Sequence, residues 1–214
     1  MPVARSWVEE LIAEYYSLKD YAVSTDVGIG AGKGGGRIDI DIVAVHPQRG
    51  DIILIDVRGI WTGDVKSICD RSLKVLKQAE EVMRKKYGRG KIITKQLILI
   101  DHIDRHRPKV NQIKQTMQKE GVKVKTLVDV INEIIDYIDR WRERQKKLEL
   151  VGPGTLPALP DRLYLLKMLE FMKDHEMLMR EETVEACALT AILYSTHEEV
   201  EELFGREAKR SCRG

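Results

Sequence analysis

Apolar positions recur along the chain at two spacings, and each spacing predicts its own elements. Between Ser6 and Lys19, Trp7, Val8, Leu11, Ile12, Tyr15 and Leu18 fall on one stripe at the helical period, which predicts an amphipathic helix ended by Asp20. Tyr21 to Val27 reads as a strand, and Gly28 to Gly36 as a glycine-rich loop. Arg37 to Val45 alternates polar and apolar, Pro47 to Gly50 is a turn, and Asp51 to Arg58 is a second strand, which together predict a β-hairpin. The helical period returns over Val65 to Tyr87, with Ile68, Leu73, Leu76, Ala79, Val82 and Met83 inward. Gln96 to Ile100 is a short apolar strand of the kind buried on both faces. A helix over Pro108 to Glu120 stops at Gly121, a strand covers Val122 to Thr126, and a long helix covers Val128 to Leu148. The order αβββαβαβα predicts a mixed sheet with helices on its faces.

Val151 to Pro160 holds three of the six prolines and reads as a stiff linker between an α/β domain (residues 1–150) and a helical appendage (161–214). Leu163–Met172, Thr183–Tyr194 and a capping-box start at Thr196 with Glu199 make that appendage all-helical. Leu189 to Phe204 resembles half of a helix-turn-helix. Its second helix carries Glu198, Glu199, Glu201 and Glu202, which repel phosphate, so packing or homodimerisation is the favoured use of these helices.

Composition narrows the classes. Hydrophobic residues make up 43% of the 214 and charged residues 33%, enough for a core under an ionic surface and unlike collagen, disordered or disulfide-scaffold chains. With 36 basic and 34 acidic side chains the chain is no polycation, so a nucleic-acid footprint has to be a local patch. Heavy use of Lys, Arg and Glu, with Asn111 and Asn132 the only asparagines, points to a thermophilic source. Cys69, Cys187 and Cys212 are scattered, which argues against a zinc or iron–sulfur site and suits a reducing compartment. No run is apolar enough for a signal peptide or a membrane span, so a cytoplasmic protein is expected.

Two glycine motifs fail on their context. Gly30, Gly32 and Gly35 satisfy GxGxxG, but a strand follows where a dinucleotide site needs a helix N-terminus. Gly32–Lys33 suggests a phosphate loop, but Val27 stands where that motif needs glycine and Gly34 where it needs Ser or Thr. Asp101, His102, Asp104 and His106 read as a solvated loop, since no third zinc ligand accompanies the histidines.

The hairpin carries the chemistry. A turn centred between Gln48 and Arg49 places Asp41 opposite Asp56, on one face and with Cβ atoms about 4.5–5.5 Å apart. Two carboxylates among Ile40, Ile42, Ile55 and Val57 repel unless something positive lies between them, and Mg²⁺ or Mn²⁺ suits such hard oxygen donors. Arg58 shares the face of Asp56. In the same register it lies opposite Asp39, so a cross-strand Asp39–Arg58 salt bridge is the alternative to a functional arginine.

Here the sequence resembles the PD-(D/E)xK nuclease superfamily, the restriction-endonuclease-like fold. The matching stretches are Glu9–Tyr21, Arg37–Val45 and Ile52–Gly59, followed by the LILI strand, a helix, the VKVKTL strand and a helix, over roughly residues 5 to 148. The resemblance implies an αβββαβ core and a Mg²⁺- or Mn²⁺-dependent nuclease acting on DNA, with RNA as an open option. It implies that Asp41 and Asp56 bind metal with the Val57 carbonyl, and that Glu9 binds or orients metal and water, with Glu10 and Glu14 as alternatives. Arg58 stands where the superfamily uses lysine. It can grip a phosphate but cannot act as a base. Lys33 and Lys66 are candidates for a migrated cation, and Gln78 for a substrate contact. Arg84, Lys85, Lys86, Arg89, Lys91 and Lys95 form a basic cluster that could follow a nucleic-acid backbone. The alternative is a non-catalytic homologue that keeps the fold and binds nucleic acid or a protein.

Overall fold

The computed structural model describes residues 6–31, 36–88, 90–100, 107–147 and 157–175. Helix α1 (Trp7–Leu18) starts at Ser6, whose Oγ accepts the Glu9 N–H and donates to Glu9 Oε1, and it buries Val8, Leu11, Ile12, Tyr15 and Leu18. It leads through Asp20, at φ 65°, into β1 (Ala22–Ala31). β1 pairs antiparallel with β2 (Arg37–Val45), and β2 with β3 (Ile52–Gly59). A 3-10 turn (Ile60–Thr62) and α2 (Val65–Tyr87) cross to β4 (Ile93–Ile100). Helix α3 (Arg107–Lys119) then crosses to β5 (Val122–Thr126). The sheet order is β1-β2-β3-β4-β5, with β3, β4 and β5 parallel. The expected mixed α/β architecture is therefore present.

Each face of the sheet has its own core. Ile52 and Leu54 of β3 and Leu97 and Leu99 of β4 pack under α2 and α3 with Ile68, Leu76, Ala79, Ile113 and Met117. Two successive βαβ crossovers put both helices on this side, as crossovers of one hand require. Ile53, Ile55, Ile98 and Ile100 face the other way, against α1 and α4 (Leu127–Lys147). The end of the expected linker and the segment after it join this second core. Leu159 and Leu163, with Leu165, Leu166 and Leu169 of α5 (Tyr164–Asp174), pack on α1 and α4. Arg142 of α4 pairs with Glu170 and Asp174 of α5. The other two expected C-terminal helices lie outside the described residues, as do the helix-turn-helix-like stretch, the Asp101–His106 loop, Cys187 and Cys212.

One local expectation is corrected. Gly28 to Ala31 is strand rather than loop, because Gly28, Gly30 and Ala31 pair with Asp39, Ile38 and Arg37 across a bulge between Gly28 and Gly30. The same bulge explains Gln78. Its Nε2 donates to the Ile29 carbonyl at 3.1 Å, and a Cβ at Gly30 (φ 151°) would sit 2.3 Å from that nitrogen. Gln78 thus fastens α2 to the end of β1.

Candidate active site

The β2–β3 hairpin adopts the expected register, with Val45–Ile52, Ala44–Ile53, Val43–Leu54 and Ile42–Ile55 paired. The ladder stops there, one pair short of the predicted Asp41–Asp56 pair. Beyond it the strand alternation of β2 breaks. Ile42 and Ala44 face the α1 side, yet Ile40 joins the α2 core, which a regular period of two forbids. On the other flank Asp26 of β1 has φ 51° and falls between the pairs Thr25–Ile42 and Val27–Ile40. At this irregularity Asp41 Oδ2 accepts the Val57 N–H at 2.6 Å. A carboxylate takes the place of a backbone acceptor where the strands part, and so satisfies a backbone donor that the ladder no longer serves.

Asp56 is wholly buried. Arg58, two residues on and on the same face, covers it with a bidentate fork: Nε donates to Oδ2 at 2.9 Å and Nη2 to Oδ1 at 2.7 Å. The cross-strand Asp39–Arg58 bridge is not formed. Asp39 pairs instead with Arg37, whose Nη2 also donates to the Asp26 carbonyl. Two exposed neighbours thus hold each other, and the β2–β3 ladder no longer extends to residue 39.

Burial and the charge of Asp56 raise the Asp41 pKa to about 7, and Glu9 adds to the rise. The Val57 N–H and Arg58 act against it. Glu9 also acts on the Arg58 guanidinium, so Glu9, Asp41, Asp56 and Arg58 share one electrostatic neighbourhood at the C-terminal end of β3. Glu14, the alternative helix acid, is used elsewhere. It accepts the Leu165 and Leu166 N–H groups at 3.3 and 3.0 Å and caps α5 from another helix. Glu10 faces the Tyr164 hydroxyl.

The donors present fit a hard divalent cation in kind: they are carboxylate oxygens, and burial with the charge of Asp56 keeps Asp41 from ionising normally. They do not form a finished cage. Among the described residues no group of three or more His, Cys, Asp or Glu side chains stands ready to hold a metal, and the cation on Asp56 is Arg58. Val57 enters the site through its N–H.

The other candidates are scattered. Lys66 is exposed on the first turn of α2. Lys33 and Arg89 lie outside the described residues. Arg84, Lys85 and Lys86 occupy the last turn of the 23-residue α2. At about 1.5 Å per residue that is roughly 30 Å from the start of the helix, which follows β3 in the chain. Arg84 and Lys95 both turn inward onto Glu80, at 2.7 and 2.8 Å, while Lys85 and Lys86 face solvent. The cluster is therefore split, and its exposed part stands at the end of the sheet away from the acids.

A residue that the sequence pattern does not single out is Trp61, 51% exposed on the 3-10 turn that follows β3. A Cβ at Gly59 would lie 2.5 Å from its ring, so only glycine leaves room for it there. Lys109 donates to the Ile60 and Gly63 carbonyls and fixes that turn. The signal in the sequence was the Gly-x-Trp spacing directly after Asp56–Arg58.

No family model matches the chain, and no curated protein matches it. Among solved structures it is similar to an XisH family protein from Nostoc punctiforme, at 16% identity, over 56% of this chain and 89% of that one, with a TM-score of 0.37. Among the described residues no helix is long and apolar enough to cross a membrane.

Proposed function

We propose that the chain is a divalent-metal-dependent nuclease of the restriction-endonuclease-like class that hydrolyses phosphodiester bonds, with DNA as its substrate. The observation that carries this reading is the Asp41–Asp56 pair at the parting of β2 and β3, with Asp56 wholly buried and Asp41 half-buried, under the charges of Glu9 and Arg58. Close acids, one of them wholly buried, that share a single guanidinium are costly as architecture, and sites of that kind concentrate where chemistry is done. Asp41 and Asp56 supply the hard oxygen donors, with the Val57 carbonyl as a further one. Glu9, restrained by Ser6, orients water or completes the donor set. Arg58 grips the phosphate through its planar fork and stabilises charge developing on the phosphoryl oxygens. It stays protonated and cannot act as a base, while Asp41, held up near 7 by burial and the charge of Asp56, would give up its proton on taking a cation. A bound Mg²⁺ or Mn²⁺ would supply Lewis acidity at the phosphate and a water of lowered pKa.

The test is cleavage of supercoiled, branched and single-stranded DNA, and of RNA, with Mg²⁺ or Mn²⁺, comparing wild type with Asp56→Asn. Cutting by wild type and loss in the variant support the reading. A specific observation favours a second one. The Asp56–Arg58 fork is self-contained, as expected of a non-catalytic homologue that binds nucleic acid. Binding that survives chelation and Asp56→Asn, with no cleavage of any substrate, would establish that alternative.

A further inference from the structure

Asp56 is sealed from solvent, and its outer side is closed by a guanidinium bonded to both of its oxygens. The Arg58 side chain is itself 32% exposed, so it forms the layer between the buried acid and the outside. Asp41 beside it already gives one oxygen to the Val57 N–H at 2.6 Å. A divalent cation reaching Asp56 would have to sit against the guanidinium, and two adjacent cations repel. The fork of Arg58 matches a phosphate as well as it matches a carboxylate. Its exposed position lets it exchange one for the other without unfolding the strand that carries it.

We propose that Arg58 couples phosphate capture to metal entry: the guanidinium now on Asp56 moves to a phosphodiester, and only then is Asp56 free to hold a divalent cation. This rests on the metal-dependent reading above. Linkage makes the effect reciprocal, so each ligand raises the affinity for the other. Without substrate Arg58 keeps the acid pair from holding metal, and the site is completed by the nucleic acid it acts on.

The experiment is Mn²⁺ titration of the full chain, followed by electron paramagnetic resonance of the free ion. It is run with and without a short single-stranded DNA carrying phosphorothioate linkages, which resists cleavage. Wild type, Arg58→Ala, Arg58→Gln and Asp56→Asn are compared, and the last measures Mn²⁺ held by the DNA itself. Wild type should bind Mn²⁺ roughly tenfold or more tightly with DNA present, a usual size for coupled sites. Both Arg58 variants should bind Mn²⁺ without DNA at least as tightly as wild type does with it, and the enhancement should vanish. Arg58→Gln keeps an amide donor on Asp56 and carries the test if Arg58→Ala does not fold. Equal Mn²⁺ affinity of wild type with and without DNA, abolished by Asp56→Asn, would overturn the coupling and leave the metal site standing. Absence of specific Mn²⁺ binding in every form, with or without DNA, would overturn both.

Discussion

Arg58 lies across both carboxylate oxygens of Asp56, its neighbour two residues back on the same strand, and not across the hairpin on Asp39. A double-mutant cycle should reproduce this choice. Asp56 and Arg58 should show a coupling in the upper part of the roughly 0.5–3 kcal/mol range for contacting residues, and Asp39 and Arg58 less than about 0.5 kcal/mol. Arg58→Ala should cost more stability than Asp56→Ala. The first leaves a fully buried carboxylate without its cation, whereas the second leaves a cation that can turn to water. Chemical denaturation of the single and double variants measures both statements.

Asp41 makes stability depend on pH in a fixed direction. Its pKa is about 7 in the fold, above the usual value of 3.8. Between those values the unfolded chain has lost the proton that the folded chain keeps, so stability is greatest below about pH 4 on account of this group. It falls as pH rises toward 7 and is level beyond, where both states are ionised. The fall should amount to a few kcal/mol at most. Asp41→Asn should flatten this part of the curve and raise stability at pH 8 relative to wild type. A steeper fall in the variant would place the titrating group elsewhere.

Glu14 and helix α5 form a separate test. Two backbone N–H groups at the start of α5 have a carboxylate from α1 as their partner, where Leu163 at the N-cap offers no side-chain oxygen. Glu14→Ala should cost roughly 1–3 kcal/mol, the usual penalty for buried donors left unpaired. Hydrogen exchange should then accelerate at Leu165 and Leu166 before it does in the sheet. Glu9→Ala, on the same helix, should leave those amides protected. A uniform acceleration across the molecule would mean that α5 does not open as a unit.

The fold was legible where period and burial agree. The stripe Val8, Leu11, Ile12, Tyr15 and Leu18 could face only a core, and the LILI run could lie only inside a sheet. The hairpin register followed from the turn, since a shift of one residue would have turned Ile53 and Ile55 out of their core. The site was legible in its members but not in its contacts. A rule of opposed pairs assumes that the ladder continues, and it stops at Ile42–Ile55. Nothing in the pattern of β2 marks the break, because Ile40 and Ile42 look alike in sequence and face opposite cores. The role of Glu14 was hidden for another reason: its partners lie about 150 residues away in sequence. The basic cluster divides because neighbours in sequence are not neighbours in exposure. Glu80 draws Arg84 inward one helical turn on, while Lys85 and Lys86 point out.

That division gives the last prediction. Arg84 is held by Glu80, so its replacement should be felt mainly in the anchoring of α2, and the two exposed lysines should account for most of any phosphate binding there. Lys85→Gln with Lys86→Gln should reduce the slope of log affinity against log salt by up to about 1.8 on duplex DNA, at roughly 0.9 for each phosphate no longer neutralised. Arg84→Gln should change it little. Distance adds a second expectation. The lysines stand near the far end of a helix of 23 residues that follows β3 in the chain, about 30 Å from its start at 1.5 Å per residue. A duplex gaining about 3.4 Å per base pair spans that distance only beyond roughly eight or nine pairs. Fragments shorter than this, bound over the acids, should therefore be indifferent to the two lysine substitutions, and longer ones should lose affinity. Affinity measured against length, for wild type and the double variant, reads this directly. Equal losses at every length would mean that the lysines act through net charge alone, and that the nucleic acid does not run along α2 from the acids to its basic end.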